Sequence, residues 1–189
     1  MRKVIALMIA LAGCGDPDFC EEGQESYAVL DQDELGNKSW DGDSFWITGY
    51  DQKIRLLGID SPNISGSKNL YDCTNSSTEH CQNWEGQLGS PLDMKRIASC
   101  YQKGLDHIEQ KLRETSVCVI KDDSHSSTQY GSLLRYLELN ENGMPMDFAA
   151  WQIVNGYSLT LPSGGQGSCD RCDEYREIAE SKTGCLWEE

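Results

Sequence analysis

The clearest hydrophobic pattern in the chain lies between residues 91 and 115. Apolar side chains recur there at steps of three and four residues, which is the spacing of one face of an α-helix. The recurring positions are Met94, Ile97, Ala98, Tyr101, Leu105, Ile108 and Leu112. Pro91 stands at a favourable first helical position, so the pattern predicts an amphipathic helix that covers one side of a core.

Short apolar runs bounded by turn residues predict a set of strands elsewhere in the chain. Two of these runs flank Gly49-Tyr50-Asp51 and therefore predict a β-hairpin. The runs span residues 27–30, 44–48, 53–59, 117–120 and 133–139.

Two shorter helices and one long loop complete the predicted elements. Helical patterns occupy residues 147–154 and 173–182. Residues 63–90 are rich in Ser, Asn, Thr and Gly and predict a loop, which two cysteines would staple. The order of elements predicts an α+β fold, namely a five-stranded β-barrel of the OB type with about three packed helices.

The start of the chain has the features of an export signal. Residues 1–3 are basic after the initiator, residues 4–11 are apolar, and L-A-G-C at 11–14 resembles the lipobox at which bacterial lipoproteins are cleaved and acylated. The apolar run is too short to span a bilayer; the structural alternative is a buried N-terminal helix. We expect a signal peptide at 1–13, a tether lipid-anchored through Cys14 at 14–26, and one domain at 27–189.

These features predict a lipid-anchored protein of the bacterial cell envelope that faces an oxidising compartment outside the cytoplasm. The membrane is then a partner through the anchor, and the choice between inner and outer membrane stays open. Eight cysteines remain after Cys14, an even number that is typical of a disulfide framework in an exported domain. They are Cys20, Cys73, Cys81, Cys100, Cys118, Cys169, Cys172 and Cys185.

Local pairs between Cys73 and Cys81 and between Cys169 and Cys172 are plausible, while the sequence leaves the full connectivity open. The C-x-x-C at 169–172 has two further interpretations, a redox motif or half of a zinc site. With three histidines and no second C-x-x-C, a structural disulfide is favoured.

Charge limits the choice of partner. The chain has 16 basic and 31 acidic residues, a formal net charge of −15, and no Lys/Arg cluster. Proteins that bind polyanions normally carry a basic patch, because neutralised phosphates supply much of the affinity. The composition therefore disfavours tight binding of nucleic acid or nucleotides and leaves a protein or an envelope ligand as the alternative. We expect a monomer.

Four motifs, in order along the chain, resemble those of the staphylococcal-nuclease (thermonuclease) family. The first motif is a pair of runs, D-G-D-S at 41–44 and I-R-L-L-G-I-D-S-P-N at 54–63, which are similar to its D-G-D-T and R-L-x-G-I-D-[ST]-P-E. Y-G-S-L-L-R-Y at 130–136 is similar to a strand of that family, and M-D-F-A-A-W-Q-I-V-N-G-Y at 146–157 to a helix and turn. G-C-L-W at 184–187 looks like its closing G-L-W. The resemblance covers roughly residues 27–187 and implies the same OB-type barrel.

The resemblance also implies a site. Its members hold a hard cation, typically calcium, through positions filled here by Asp43 and Asp60, with Ser61 offering its backbone carbonyl. Oxygen ligands of this kind also suit magnesium, which is the less favoured cation here. Arg55 matches the arginine that grips the reacting phosphate, and Tyr130 matches a tyrosine beside the ligand. Without the resemblance, these residues would be interpreted as a turn, a loop cap, a surface ion pair and a packing residue.

Two departures from the family pattern affect catalysis. Asn63 replaces the glutamate that activates water, and Ser132 replaces the second arginine. A general base contributes about 10² to 10⁴ in rate, and a transition-state arginine about 10³ to 10⁵. The sequence therefore predicts a degenerate nuclease that acts as a binding module. The alternative is an active cation-dependent phosphodiesterase whose base has moved to Asp72, Glu79 or Glu85.

Overall fold

The structure is a computed structural model, and it describes residues 20, 25–27, 41–47, 51–62, 64–65, 69–70, 79–89, 91–113, 115, 117–121, 131–162 and 168–188. The helices in these residues are α1 (Glu79–Leu88), α2 (Met94–Arg113), α3 (Phe148–Val154) and α4 (Cys172–Glu180). The strands are β1 (Glu25–Tyr27), β2 (Ser44–Phe45), β3 (Ile54–Leu56), β4 (Ile59–Asp60), β5 (Ile64–Ser65), β6 (Asn69–Leu70), β7 (Val117–Lys121), β8 (Leu133–Glu141), β9 (Met144–Asp147) and β10 (Leu159–Thr160).

The main sheet has the strand order β1-β7-β8-β3-β2, and β9 pairs with β8 as a hairpin. All its pairs are antiparallel except β3 with β8, which run parallel with Ile54 opposite Leu133. Two small antiparallel pairs, β4 with β10 and β5 with β6, lie outside this sheet. The predicted α+β class is confirmed. Over the described residues, however, β1 and β2 stay at opposite ends of the sheet, so the sheet is not closed into a barrel.

A continuous apolar core fills the space between the sheet and the helices. Its largest fully buried side chains include Phe45 of β2, Ile54 of β3, Ile108 of α2 and Phe148 of α3. Each side chain of this size stabilises the fold by about 1.5–3 kcal/mol when it is fully buried. A second, smaller cluster consists of Trp84, Ile97, Cys100, Leu159 and Leu186. It joins α1 and α2 to the end of the chain.

Three disulfide bonds link described residues. Cys20 is bonded to Cys118 of β7, and Cys100 of α2 to Cys185 near the end of the chain. Cys169 and Cys172 form a local bond at the start of α4, which is the interpretation favoured for this C-x-x-C. Cys81 is also disulfide-bonded, whereas Cys73, its predicted partner, lies outside the described residues.

The predicted hairpin, the later strands and the three predicted helices lie within a few residues of their expected positions. The prediction of a loop through residues 63–90 was wrong, because this segment contains α1 and the short strands β5 and β6. Helix α1 forms because it buries Cys81 and Trp84, three residues apart on one face. In the described part of the chain, no helix is long and apolar enough to cross a membrane.

Candidate functional site

Pairing of β2 with β3 builds the centre of the site. Ser44 lies opposite Arg55 in this hairpin, which places Asp43, one residue earlier, beside the arginine. Asp60 ends β4, which follows β3 after the turn at Leu57 and Gly58. One hairpin and one turn therefore bring together side chains that are 12 and 5 residues apart in sequence.

Arg55 bridges the two carboxylates. Its Nη1 lies 2.9 Å from Oδ1 of Asp43, and its Nη2 lies 3.2 Å from Oδ1 of Asp60. The side chains of Asp43 and Asp60 are only 3% and 9% exposed, while that of Arg55 is 22% exposed. Hydrogen bonds between charged groups at such distances are roughly twice as strong as neutral ones. We name the cluster of Asp43, Arg55 and Asp60 the acidic bridge.

Hydrogen bonds from the chain hold Asp43 in a fixed orientation. Ser44 Oγ donates to its Oδ1 at 2.9 Å, and the Ser61 backbone N–H donates to its Oδ2 at 3.1 Å. This approach of Ser61 requires glycine at position 42, since a Cβ there would lie 2.7 Å from both Cβ and Oγ of Ser61. The D-G-D spacing is thus a packing requirement of the site as well as a motif.

Burial makes the charge on Asp43 costly. Loss of water contact raises the pKa of Asp43 to about 7, against the lowering effect of the Arg55 charge and with the help of the Asp41 and Asp60 charges. Burial alone would lower the pKa of Arg55, but the three carboxylates outweigh it, so that the pKa is raised and the arginine stays charged.

A third aspartate lies at the edge of the acidic bridge. Asp41 pairs with Lys53 through its Oδ2, at 3.2 Å from the Lys53 Nζ. Its Oδ1 is buried and has no hydrogen-bond partner among the described residues. When Asp41 and Lys53 are counted with the acidic bridge, the region contains three carboxylates and only two basic side chains. It therefore carries an excess of negative charge.

Helix α1 supplies a contact that the sequence did not predict. The indole Nε1 of Trp84 donates to Oδ2 of Asp60 at 3.0 Å, and Trp84 is only 2% exposed. The sequence signal for this residue was an apolar side chain at helical spacing from Cys81 and Leu88 within an otherwise polar segment. That signal is weak, and nothing in it indicates contact with a carboxylate.

A second polar network involves the side chain of Ser61. Ser61 Oγ lies 2.5 Å from Ser158 Oγ, and Ser158 Oγ donates to Gln152 Oε1 of α3 at 2.6 Å. All three side chains are buried. Gln152 Nε2 has no partner in the part of the chain that the structure describes. The network fixes the side chain of Ser61, the residue whose backbone carbonyl was the third predicted cation ligand.

The remaining predicted residues are placed as follows. Ser132 directly precedes β8, two residues before Leu134, which pairs with Arg55. Asn63, Tyr130, Cys14 and Asp72 lie outside the described residues. Glu85 follows Trp84 on α1, and Glu79 begins that helix.

The donor chemistry of this region fits a hard cation, since buried carboxylate oxygens are ligands for calcium or magnesium. The unpartnered Oδ1 of Asp41 is a third oxygen of the same kind. Yet each oxygen of Asp43 and Asp60 already accepts a hydrogen bond. Across the described ranges, no group of three or more His, Cys, Asp or Glu side chains is arranged to hold a metal. Arg55 therefore competes with a cation for Oδ1 of both carboxylates.

Comparison with known proteins finds a protein that is similar to this chain over nearly its whole length. The chain is 26% identical to the uncharacterized protein MJ1439 of Methanocaldococcus jannaschii over 208 residues, which cover 99% of this chain and 95% of that protein. No family model matches the chain.

Proposed function

We propose that this protein is a nuclease-like domain that has kept the ligand-binding half of its site and lost catalysis, so that it acts as a binding module. The observation that carries the proposal is the acidic bridge. Its three residues are the ones that the nuclease resemblance assigns to cation and phosphate binding, and they lie in direct contact. Aspartates are rarely buried unless they are paired, and both aspartates of the acidic bridge are held by further hydrogen bonds.

The strand arrangement supports an OB-type barrel as the scaffold. The order β1-β7-β8-β3-β2, with one parallel pair between β3 and β8, corresponds to the five strands of such a barrel opened between the first and second strands. The site then lies at the hairpin β2–β3 and the turn into β4.

The proposed ligand combines a phosphate with a hard cation, calcium in preference to magnesium. Asp43, Asp60 and the Ser61 carbonyl would hold the cation, which supplies positive charge that neutralises the carboxylates and a bound phosphate. Arg55 would turn from the two carboxylates to the phosphate, because its planar guanidinium pairs equally well with either oxyanion. Arg55 thus couples the two binding events.

Loss of catalysis follows from Asn63 and Ser132. The Asn63 amide has no basic site that can take a proton from water, and the Ser132 hydroxyl brings no positive charge to a transition state. Losses of this kind are not additive, because the residues act as a unit. Even the smaller loss, that of the general base at about 10² in rate, removes most turnover.

The second candidate is an active phosphodiesterase with rearranged catalytic groups. Asp43 favours it, because a carboxylate whose pKa is raised to about 7 is in the range of a general base. This candidate requires Asp43 to serve as base in place of cation ligand, or a carboxylate of residues 64–90 to reach the site.

Hydrolysis of single-stranded DNA and RNA by the oxidised protein distinguishes the two candidates. It is measured with calcium, magnesium or chelator, beside the double variant Asn63→Glu, Ser132→Arg and the same double variant with Asp43→Asn added. We expect no turnover by the wild type, cation-dependent turnover by the double variant, and its loss in the triple variant. Cation-dependent turnover by the wild type contradicts the binding-module proposal.

We also propose that the protein is a lipoprotein of the bacterial envelope, anchored through Cys14. The disulfide bonds of Cys100 and Cys169 support an oxidising compartment. Cys14→Ser should block acylation and move the protein from the membrane fraction to the soluble fraction. Unchanged fractionation of this variant would refute the anchor.

A further inference from the structure

The geometry points to Trp84 as a positioning residue that fixes the carboxylate of Asp60 for ligand binding. This inference rests on the proposed function, because it assigns a role to a residue beside the proposed cation ligand. Trp84 lies on α1, and its indole Nε1 donates to Oδ2 of Asp60 at 3.0 Å. Both residues are almost completely buried.

Two donors to Asp60, Arg55 and Trp84, have different roles. Arg55 donates to Oδ1 and has to leave that oxygen when it turns to a phosphate. Trp84 donates to Oδ2 and has no reason to move, because its ring is packed in the second apolar cluster with Ile97 and Leu159. After Arg55 has left, the indole N–H still restricts rotation of the carboxylate. A carboxylate that is already held in one orientation loses less conformational entropy when it binds a cation.

Side-chain hydrogen bonds join α1 directly to β10, the strand that pairs with β4 and Asp60. Leu159 of β10 lies opposite Asp60 of β4. At the next residue of β10, the Gln87 side chain donates to the Thr160 carbonyl at 2.7 Å and accepts from the Thr160 N–H at 3.3 Å. Asn83 donates to the same carbonyl at 3.0 Å. The helix that carries Trp84 therefore has a fixed position relative to the strand pair that carries Asp60.

Packing alone does not account for a tryptophan at this position. A phenylalanine would fill the apolar cluster without bringing a polar N–H into it, and burial of an indole N–H without an acceptor costs free energy. Here that acceptor is a carboxylate that also pairs with Arg55. Trp187 provides the contrast, because it packs against the same cluster and its buried Nε1 has no hydrogen-bond partner among the described residues.

A double-mutant cycle between Trp84→Phe and Asp60→Ala tests the contact without any cation. We expect Trp84→Phe to raise the equilibrium constant for urea unfolding of the full chain by roughly ten-fold or more, and to have a much smaller effect once Asp60 is alanine. Trp187→Phe is the matched control, and its effect should be the same in both backgrounds. Equal effects of Trp84→Phe in both backgrounds would overturn the inference.

Calcium titration calorimetry tests the link to ligand binding and needs no change at Asp60. We expect Trp84→Phe to weaken calcium binding by about 10- to 100-fold, as is usual for loss of a partner that orients a metal ligand, and Trp187→Phe to leave it unchanged. A Trp84→Phe variant that binds calcium as tightly as the wild type overturns the positioning role. If the wild type binds no calcium, the proposed cation site falls, and the cycle alone then decides whether Trp84 fixes Asp60.

Discussion

At the scale of single residues, the site is governed by how Asp43 is buried. The carboxylate has contacts with Arg55, Ser44 and the Ser61 N–H, yet loss of water contact and its acidic neighbours outweigh them in its pKa. A buried ion pair of this kind contributes little net stability, because removing both charges from water costs as much as their attraction returns. The acidic bridge is therefore better explained by ligand binding than by stability.

Asp43 predicts a specific dependence of stability on pH. Its pKa is raised from 3.8 to about 7 in the folded state, so the folded protein binds a proton that the unfolded chain releases between these values. The resulting stabilisation is complete below about pH 4 and is lost as the pH rises through 7. In urea unfolding, the wild type should therefore lose more stability between pH 5 and 8 than Asp43→Asn does.

Asp51→Asn is the control for this comparison, since Asp51 is an exposed aspartate in the turn before β3. It should follow the wild-type pH dependence. If Asp43→Asn loses as much stability as the wild type over the same interval, Asp43 is not the titrating group.

At the scale of elements, sequence patterns located the parts with strong periodicity and missed α1. Helix α2 and strand β8 have long apolar repeats, and the hairpin β2–β3 carries recognisable turn residues, so each was predicted close to its place. Helix α1 is polar apart from Cys81, Trp84 and Leu88, and its position is set by tertiary contacts with β10. Local sequence does not encode such contacts, which is why Trp84 was absent from the predicted site.

Among the described contacts between α1 and β10, those of Gln87 should contribute most to holding the helix in place. Its Oε1 accepts from both the N–H and the Oγ1 of Thr160, and Thr160 is 6% exposed. Gln87→Ala leaves these donors without that acceptor, so we expect a loss of about 1–3 kcal/mol in the free energy of unfolding. Gln102→Ala on the exposed face of α2 should change it by less than about 0.5 kcal/mol. Equal effects of the two changes in chemical denaturation would show that the contact does not hold α1.

At the scale of the whole molecule, disulfides join segments that the sheet leaves apart. Cys20–Cys118 and Cys100–Cys185 close loops with sequence separations of 98 and 85, whereas Cys169–Cys172 closes one of 3. The sequence predicted that these cysteines would be paired, but only the local pair could be proposed from spacing. Long-range pairing depends on how α2 packs against the end of the chain, and that packing is a property of the complete fold.

The difference in loop length predicts a difference in stability. In the chain-entropy description, a loop of about 100 residues stabilises by roughly 4.7 kcal/mol, and short loops by much less. Cys100→Ala, Cys185→Ala should therefore lower the free energy of unfolding by about 4–5 kcal/mol, and Cys169→Ala, Cys172→Ala by less than about half of that. Urea unfolding without reductant measures both losses. The two double variants are matched, because each loses two sulfur atoms from a partly apolar setting. The local pair also packs closely against the Gly58 turn, where a Cβ would lie 2.8 Å from the Cys172 sulfur. A larger loss of stability for the local pair would mean that this contact outweighs loop closure. The contact would then support the strand that carries Asp60.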